Sequence, residues 1–398
     1  MPSGQALVER EEQHARLAGL LADVERGAGA LALVTGEAGI GKTSLVRGFC
    51  AGLPSGVRVL RGGCDPVEAP RPLGPLHEVG LQVGGQLAVV LAGDEARLHR
   101  FRALQETLAT GPLTVLVVED VHWADDATLD LLTFLGRRAD SLRALVVLTS
   151  RDRAGHVRAD RVIGDLVSLP TVHRIEVPAL TVAGLRALGE VEDAELLHRR
   201  TGGNPFFVTE VLASGRAGMP TNVRDAVLSR TADLSAGARE VVELVSVVPD
   251  RADLELVRAA TAAEPGSLDE CQAAGLLVPT PRGLGFRHEI AREAVESSLT
   301  AARSAELHAT VLRELSRRPG SPDAVLSHHA DLAGEGAAVL RHAPRAAIQA
   351  SRLGAHRESV IHLDRALRYA DRLDLPGHAA LLGARAAELE ALGDATAA

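Results

Sequence analysis

The sequence predicts a three-layer α/β domain with a five-stranded parallel sheet, followed by a mainly helical second half. Apolar runs of strand length alternate with helical stretches between residues 27 and 178. One of these runs is followed by a glycine loop, and another is followed by a pair of carboxylates. Both features lie where α/β sheets bind ligands, at the carboxyl ends of their strands. From residue 300 onward the chain is alanine-rich, with the apolar spacing of helices.

The composition excludes several classes of protein. Of 398 residues, 46% are hydrophobic and 24% are charged, as in folded globular proteins. The 43 basic and 52 acidic residues give a net charge of −9, so no overall basic field attracts DNA or anionic lipid. No apolar run reaches the roughly 18 residues that a membrane helix needs. We therefore expect a cytoplasmic protein with reduced cysteines, without direct DNA binding or membrane association.

The first predicted strand, residues 31–35, leads into a glycine loop and a helix. Residues 36–43 read GEAGIGKT and satisfy the pattern GxxxxGK[ST]. Backbone N–H groups of such a loop wrap a phosphate, the lysine reaches the β- and γ-phosphates, and the threonine hydroxyl ligates Mg²⁺. The pattern predicts an α/β P-loop NTPase that binds ATP or ADP with Mg²⁺ through Gly36, Glu37, Ala38, Gly39, Ile40, Gly41, Lys42, Thr43 and Ser44.

Lys42 is the single lysine of the chain, since the other 42 of its 43 basic residues are arginines. A compact ammonium group fits inside a cradle of backbone N–H groups, whereas a planar, forked guanidinium is a poor substitute there. We therefore predict that Lys42 stabilises the phosphates during catalysis.

A second strand, residues 114–118, ends at two carboxylates, Glu119 and Asp120. One carboxylate at this position can hold Mg²⁺, and its neighbour can deprotonate the attacking water. By convention Glu119 holds Mg²⁺, together with Thr43, and Asp120 is the base, but the order of the two acids leaves these roles exchangeable. The alternative is that the pair simply opens a loop.

Three more runs complete the predicted sheet, at residues 57–60, 144–148 and 172–177. The run at 144–148 ends in Thr149, Ser150 and Arg151. A polar end on a strand next to the phosphate strand can place Arg151 near a γ-phosphate. A surface arginine remains the alternative.

Residues 346–370 place small residues in helix-turn-helix order, which resembles one tetratricopeptide unit. A second unit begins at Leu381 and stops after one helix. Stacked repeats need neighbours to cover their apolar faces, so we expect a truncated chain or a partner that covers the end. The histidines, including the pair His328 and His329, lack zinc-motif spacing, and no metal beyond Mg²⁺ is expected.

Seven segments in a fixed order resemble a known family. They begin at residues 7, 36, 61, 117, 148, 201 and 286, and they read LVERE, GEAGIGKT, RGGCDP, VVEDVHWAD, LTSRD, TGGNPFFVTEVL and FRHEIAREAV. This order is similar to the AAA-like ATPase region of LuxR-type bacterial regulators. These regulators belong to the signal-transduction ATPases with numerous domains, whose nucleotide module resembles the Orc1/Cdc6 type. The similarity covers nearly the whole chain.

The resemblance implies roles for individual residues. The family's phosphate loop, acidic strand and sensor arginine correspond to residues 36–43, to residues 119–120 and to Arg151. Its GNP segment implies that Pro205 approaches the adenine from a small helical lid. The family usually has Gly-Arg near its N-terminus, and this chain departs from that pattern with Glu9 before Arg10. Arg10 corresponds to the family's contact on the adenine side.

The resemblance also implies a domain order. We expect a helical arm at 1–26, an ATPase domain at 27–178, a helical lid at 179–218, a winged-helix-like domain at 219–300 and a tetratricopeptide-like region at 301–398. The family continues with further repeats and a DNA-binding helix-turn-helix, and we expect neither within these 398 residues.

The function that the resemblance implies is a slowly ATP-hydrolysing signal-transduction switch in transcription regulation. The helical repeats would pass the change to a protein or small-molecule effector. Self-association through the ATPase modules is a further expectation, with Arg137 and Arg138 as candidates to reach a neighbour's nucleotide or as plain surface charge. Two alternatives stay open, a P-loop kinase acting on a small molecule and a scaffold that binds nucleotide without hydrolysis. The effector and the regulated genes are not predicted.

Overall fold

The computed structural model describes residues 8–67, 69–93, 96–151, 157–188, 193–214, 223–248, 251–261, 264–280 and 283–393. Several positions of the predictions lie outside these ranges. They are residue 7 and residue 152 of two resembling segments, the predicted boundary between lid and winged helix at 218–219, and the last five residues, 394–398.

The chain divides into two compact units. The first comprises Met1–Cys64, Gly74–Ala124 and Thr128–Val223, and the second comprises Asp65–Leu73, Asp125–Ala127 and Arg224–Ala398. None of the described helices is long and apolar enough to cross a bilayer.

The first unit is built on a parallel sheet of five strands in the order β2-β3-β4-β1-β5. This confirms the predicted five-stranded parallel sheet. Its strands are β1 (Ala30–Thr35), β2 (Arg58–Gly63), β3 (Thr114–Glu119), β4 (Ala144–Ser150) and β5 (Val172–Glu176). Its helices are α1 (Glu11–Glu25), α2 (Lys42–Ala51), α3 (Gly74–Val83), α4 (Gly85–Ala92), α5 (Arg97–Thr110), α6 (Asp126–Gly136), α7 (Val157–Val167), α8 (Val182–Leu188), α9 (Ala194–Thr201) and α10 (Pro205–Ser214). The first two residues of α6, Asp126 and Ala127, belong to the second unit.

The central strands explain why the sheet reads as apolar runs. Every residue of β1 and β4 is buried, because helices cover both faces of a parallel sheet. One core cluster joins α1, α2 and four of the strands, with Leu17, Leu45 and Val147 among its fully buried members. Since all five strands run the same way, their carboxyl ends share one edge, where β1 is followed by the glycine loop and β3 by Asp120.

The helices α8, α9 and α10 form a small helical group that follows β5. Leu180, Leu185, Leu197 and Val208 make its buried cluster. The group belongs to the first unit, together with the sheet.

The second unit begins with helices and one antiparallel hairpin, and continues as helices alone, as the predicted fold class requires. The first part holds α11 (Val223–Ala232), α12 (Ala236–Ser246), α13 (Leu254–Ala260), α14 (Pro265–Ala273), β6 (Leu277–Thr280), β7 (Gly283–Phe286) and α15 (Glu289–Glu296). The second part holds α16 (Ala301–Ser316), α17 (Asp323–Leu332), α18 (Gly336–Arg352), α19 (His356–Leu367) and α20 (Leu375–Ala391). Consecutive helices from α16 to α20 pack on one another, and a shared core cluster includes Leu326, Val339 and Leu363.

Candidate functional site

The turn from β1 into α2 depends on three glycines with positive φ. Gly36 has φ +151°, Gly39 has φ +75° and Gly41 has φ +100°. Side chains larger than hydrogen rarely adopt these angles, so glycine is what the backbone requires here. The chain therefore passes from Thr35 in the strand to the first residue of α2 within a few residues.

Lys42, the first residue of α2, lies inside this loop. Its side chain is 7% exposed, and Nζ donates hydrogen bonds to the carbonyl oxygens of Gly36 at 2.7 Å and Glu37 at 2.8 Å. No acidic residue lies in the first turn of α2, and no described side chain caps it. The ammonium group and the positive end of the helix thus act at the same place, which suits a phosphate.

Thr43, in the first turn of α2, and Glu119, at the end of β3, are brought together. The Thr43 hydroxyl donates a hydrogen bond to Glu119 Oε2 at 2.9 Å, although β4 separates β1 from β3 in the sheet. Neighbouring oxygen ligands of an octahedral Mg²⁺ lie about 3 Å apart, because each bond is about 2.1 Å long. The spacing and chemistry of these two oxygens therefore fit one Mg²⁺ ion.

Asp120 is fixed through its backbone while its side chain stays accessible. Its φ is +55°, an angle that is uncommon outside glycine. Its N–H donates a hydrogen bond to Thr149 Oγ1 at 2.8 Å, and Thr149 is fully buried at the end of β4. The Asp120 side chain is 43% exposed, and its Oδ1 lies 3.9 Å from Nδ1 of His122. The carboxylate is thus held at the sheet edge and remains open to a water molecule.

Two other predicted residues lie near this edge of the sheet. Arg151 follows β4 directly and is half-buried, and Ser44 is exposed in the first turn of α2. The roles of Arg151 and Ser44 stay predictions.

Arg10 holds the loop from the N-terminal side of the chain. Its side chain is 3% exposed and donates hydrogen bonds to the backbone carbonyls of Pro178 at 2.8 Å and Ile40 at 3.3 Å. Burial lowers the pKa of the Arg10 guanidinium, against the opposite effects of Glu9 and Glu11. Ile40 belongs to the phosphate loop, so Arg10 positions the loop backbone; its predicted contact with adenine stays a prediction.

Asn204 holds the loop from the side of the small helical group. Its Nδ2 donates a hydrogen bond to the Ala38 carbonyl at 2.9 Å, and its Oδ1 accepts one from the Phe206 N–H at 3.1 Å. A Cβ atom at Gly39 would lie only 2.8 Å from Cβ of Phe206, so α10 begins in close contact with the loop. Pro205 is the half-buried first residue of α10, and its contact with adenine stays a prediction.

We expect Asn204→Ala to weaken ATP binding about fivefold to tenfold, the value of one hydrogen bond near 1 kcal/mol. The substitution removes the donor that fixes the Ala38 carbonyl. Asn204→Asp should weaken binding as well, because it keeps the acceptor for the Phe206 N–H but places an anion beside that carbonyl. Calorimetric titration with ATP and Mg²⁺ measures the effect. Thr209→Ala is the matched control, since it removes a hydrogen bond within α10 to the Phe206 carbonyl. Equal losses in the variants and the control would contradict the contact's role.

Part of the chain is similar in sequence to a known family of domains. Residues 6–148 match the family model described as the AAA ATPase domain. An uncharacterized protein of Rhizobium meliloti (strain 1021) is 24% identical over 451 residues, which cover 94% of this chain and 43% of that protein. The chain thus spans less than half the length of this relative.

Among solved structures, the chain resembles the signal transduction ATPase with numerous domains (STAND) protein with a tetratricopeptide repeat sensor from Pyrococcus horikoshii. The TM-score is 0.60 at 17% identity, and the match covers 99% of this chain and 63% of the other. The Aeropyrum pernix Orc1 protein in complex with DNA matches with a TM-score of 0.37 and 18% identity over 74% of this chain and 93% of that chain. A score this low does not establish a shared fold. Residues 6–148 are therefore similar in sequence to the AAA ATPase domain, and the chain shares its fold with the Pyrococcus horikoshii protein.

Proposed function

We propose that the protein is an ATP-binding, slowly ATP-hydrolysing signal-transduction switch. The observation that carries this proposal is the meeting of Thr43 and Glu119 beside the buried ammonium of Lys42. The arrangement supplies oxygen ligands for Mg²⁺ and a cation for phosphates within one loop and one strand end. It also places Asp120 next to Glu119 with an accessible carboxylate.

Each residue of the site has a separate role in the proposed hydrolysis of ATP. Mg²⁺ bound by Thr43 and Glu119 would neutralise charge on the β- and γ-phosphates. The backbone N–H groups of the loop and Lys42 bind and orient the phosphates. Asp120 accepts a proton from the attacking water, and its backbone hydrogen bond to Thr149 keeps the carboxylate at the sheet edge.

The contacts of Arg10 and Asn204 make the loop a natural switch element. Both side chains bind backbone carbonyls of the loop, at Ile40 and at Ala38. Any change in loop backbone between nucleotide states alters the geometry of both hydrogen bonds. A nucleotide that favours one loop conformation therefore also favours one arrangement of the N-terminal arm and of the helical group, by its differential affinity for the two states.

We further propose that the chain is the ATPase part of a LuxR-family transcriptional regulator. The Pyrococcus horikoshii protein of similar fold is named for a tetratricopeptide repeat sensor, and α16 to α20 of this chain are successive packed helices. We therefore propose that the helical region receives a protein or small-molecule effector, and that nucleotide binding promotes self-association. An effector that changes ATP affinity in the whole chain but not in a chain shortened within the repeats would support this assignment.

ATP binding and hydrolysis by purified protein test the proposal directly. We expect ATP to bind with Mg²⁺ and to turn over slowly to ADP and phosphate. Absence of ATP binding would contradict the proposal. ADP release that depends on a small-molecule acceptor would instead indicate a kinase, and tight binding without turnover under any condition would indicate a scaffold.

We expect Asp120→Asn to retain ATP and lose hydrolysis by about 10²-fold or more, because the amide cannot accept the proton of the water. Glu119→Gln should instead weaken the Mg²⁺ dependence of ATP binding, because it removes a charged ligand. Titration of ATP at varied Mg²⁺, together with single-turnover hydrolysis of bound ATP, separates the two effects. Asp130→Asn, at a half-buried position of α6 that is paired with Arg97, is the control and should change neither. The opposite pattern would exchange the roles of Glu119 and Asp120.

A further inference from the structure

Three histidines meet in the second unit, at the packing of α16 on α17. His308 lies on α16, and His328 and His329 lie on α17. One ring nitrogen from each lies within 4.8 Å of the other two, and no other group of His, Cys, Asp or Glu in the described part of the chain meets this criterion. The His308 and His329 Nδ1 atoms are 2.8 Å apart and share a hydrogen bond. The helix packing therefore brings together residues that are twenty positions apart in sequence.

The hydrogen bonding of this cluster is incomplete. His308 is 1% exposed and His329 is fully buried, yet Nε2 of His329 has no hydrogen-bond partner among the described residues. A buried polar atom without a hydrogen-bond partner is destabilising.

A cavity lies beside the cluster. It has a volume of about 210 Å³, and His328 and His329 line it together with Asp65 and Asp253. The cavity gives an ion a route of entry and room for a water molecule as a fourth ligand. The positive charges of Arg292 and Arg365 lie near His328. Each arginine is paired with an acid, Arg292 with Glu296 at 2.8 Å and Arg365 with Asp331 at 3.6 Å.

We propose that His308, His328 and His329 bind one divalent transition-metal ion of the Zn²⁺ class. Imidazole nitrogen suits Zn²⁺, Co²⁺ and Ni²⁺, whereas Mg²⁺ and Ca²⁺ take oxygen ligands. Two nitrogens on a tetrahedral Zn²⁺ ion lie about 3.3 Å apart, which needs only a small opening of the His308 and His329 pair. Three histidines and a water molecule complete a four-coordinate site. The site is separate from the proposed nucleotide site and does not depend on it.

The test uses the whole chain, freed of any affinity tag, of bound metal and of nucleotide. We expect one equivalent of Zn²⁺ to bind per chain in calorimetric titration, and Co²⁺ to give the visible absorption of a four-coordinate complex. X-ray absorption of the Zn²⁺ form should show imidazole nitrogen and no sulfur around the ion. This measurement needs no variant, so it decides the ligand set even if a substitution prevents folding.

Each ligand is then removed in turn. His328→Asn, at a half-buried ring, and His308→Asn should each weaken Zn²⁺ binding at least tenfold and lose the rise in melting temperature that Zn²⁺ gives the native protein. His173→Asn is the matched control, because His173 is exposed on β5. Binding below one equivalent, sulfur ligands, or undiminished affinity in the His308 and His328 variants would overturn the proposal.

Discussion

Replacing Lys42 with alanine should weaken ATP binding at least 100-fold, which corresponds to about 2.7 kcal/mol. In the native loop the Lys42 ammonium occupies the space between the carbonyl oxygens of Gly36 and Glu37. Without it, an incoming phosphate faces those two carbonyl dipoles with no positive charge between them. A buried cation is worth more than a surface one because solvent screens it less. Calorimetric titration with ATP and Mg²⁺ measures the loss.

Two matched variants show whether the position or merely the charge matters. Arg47→Ala removes a cation from the exposed side of the same helix and should leave affinity unchanged. Lys42→Arg keeps the charge, but its broad guanidinium cannot occupy the narrow space that Nζ fills, so we expect it to weaken binding too. If Lys42→Ala binds ATP as tightly as the native protein, the loop does not bind phosphate in the proposed way.

The sheet was predictable because its signals are local in sequence. The phosphate strand was predicted at 31–35 and lies at Ala30–Thr35, and the acidic strand was predicted at 114–118 and lies at Thr114–Glu119. Strands covered on both faces are continuous apolar runs, which a short window of sequence displays. The glycines of the loop are equally local, since the backbone angles alone demand them.

The contacts that support the site were not predictable, because they join distant positions through the tertiary fold. Asn204 meets Ala38 across 166 residues, and the Asp120 N–H meets Thr149 across 29. The GNP segment marked the region of Asn204, but nothing in it indicated a hydrogen bond to the phosphate loop. His308 gave no signal at all, since its partners lie on the next helix and no metal motif has this spacing. We expected no metal beyond Mg²⁺ for that reason, and the proposed histidine site departs from that expectation.

The other large effect that we predict is on stability, and it comes from a buried glutamate in the second unit. Glu358 on α19 is 5% exposed, and its Oε1 accepts a hydrogen bond from the Asp126 N–H at 3.2 Å. Its Oε2 has no hydrogen-bond partner among the described residues. Burial, with the nearby charges of Asp126 and Asp125, raises the pKa of Glu358 to about 8. The carboxyl group is therefore mainly protonated at pH 7 in the folded chain and ionised in the unfolded chain.

This difference makes folding depend on pH in a defined direction. Between the ordinary pKa of a glutamate and pH 8, the folded chain holds a proton that the unfolded chain has released. The free energy of unfolding therefore falls as the pH rises through this window, by up to about 1.4 kcal/mol per pH unit from this group. Buried histidines such as His308 act oppositely, since their lowered pKa values make stability fall as the pH drops below 6.5.

We expect Glu358→Gln to raise the free energy of unfolding by about 2–4 kcal/mol at pH 8 and to change it little at pH 5. Glutamine keeps the shape and the acceptor for the Asp126 N–H, but it cannot ionise beside two aspartates. Thermal and urea unfolding at pH 5 to 8 measure the free energy of unfolding of the variant and of the native protein. The contributions of the histidines cancel in the difference between the two. Glu390→Gln, exposed on α20, is the matched control and should show no such pH-dependent gain. A gain of equal size at both pH values would mean that packing, and not the ionisation of Glu358, limits the stability of this unit.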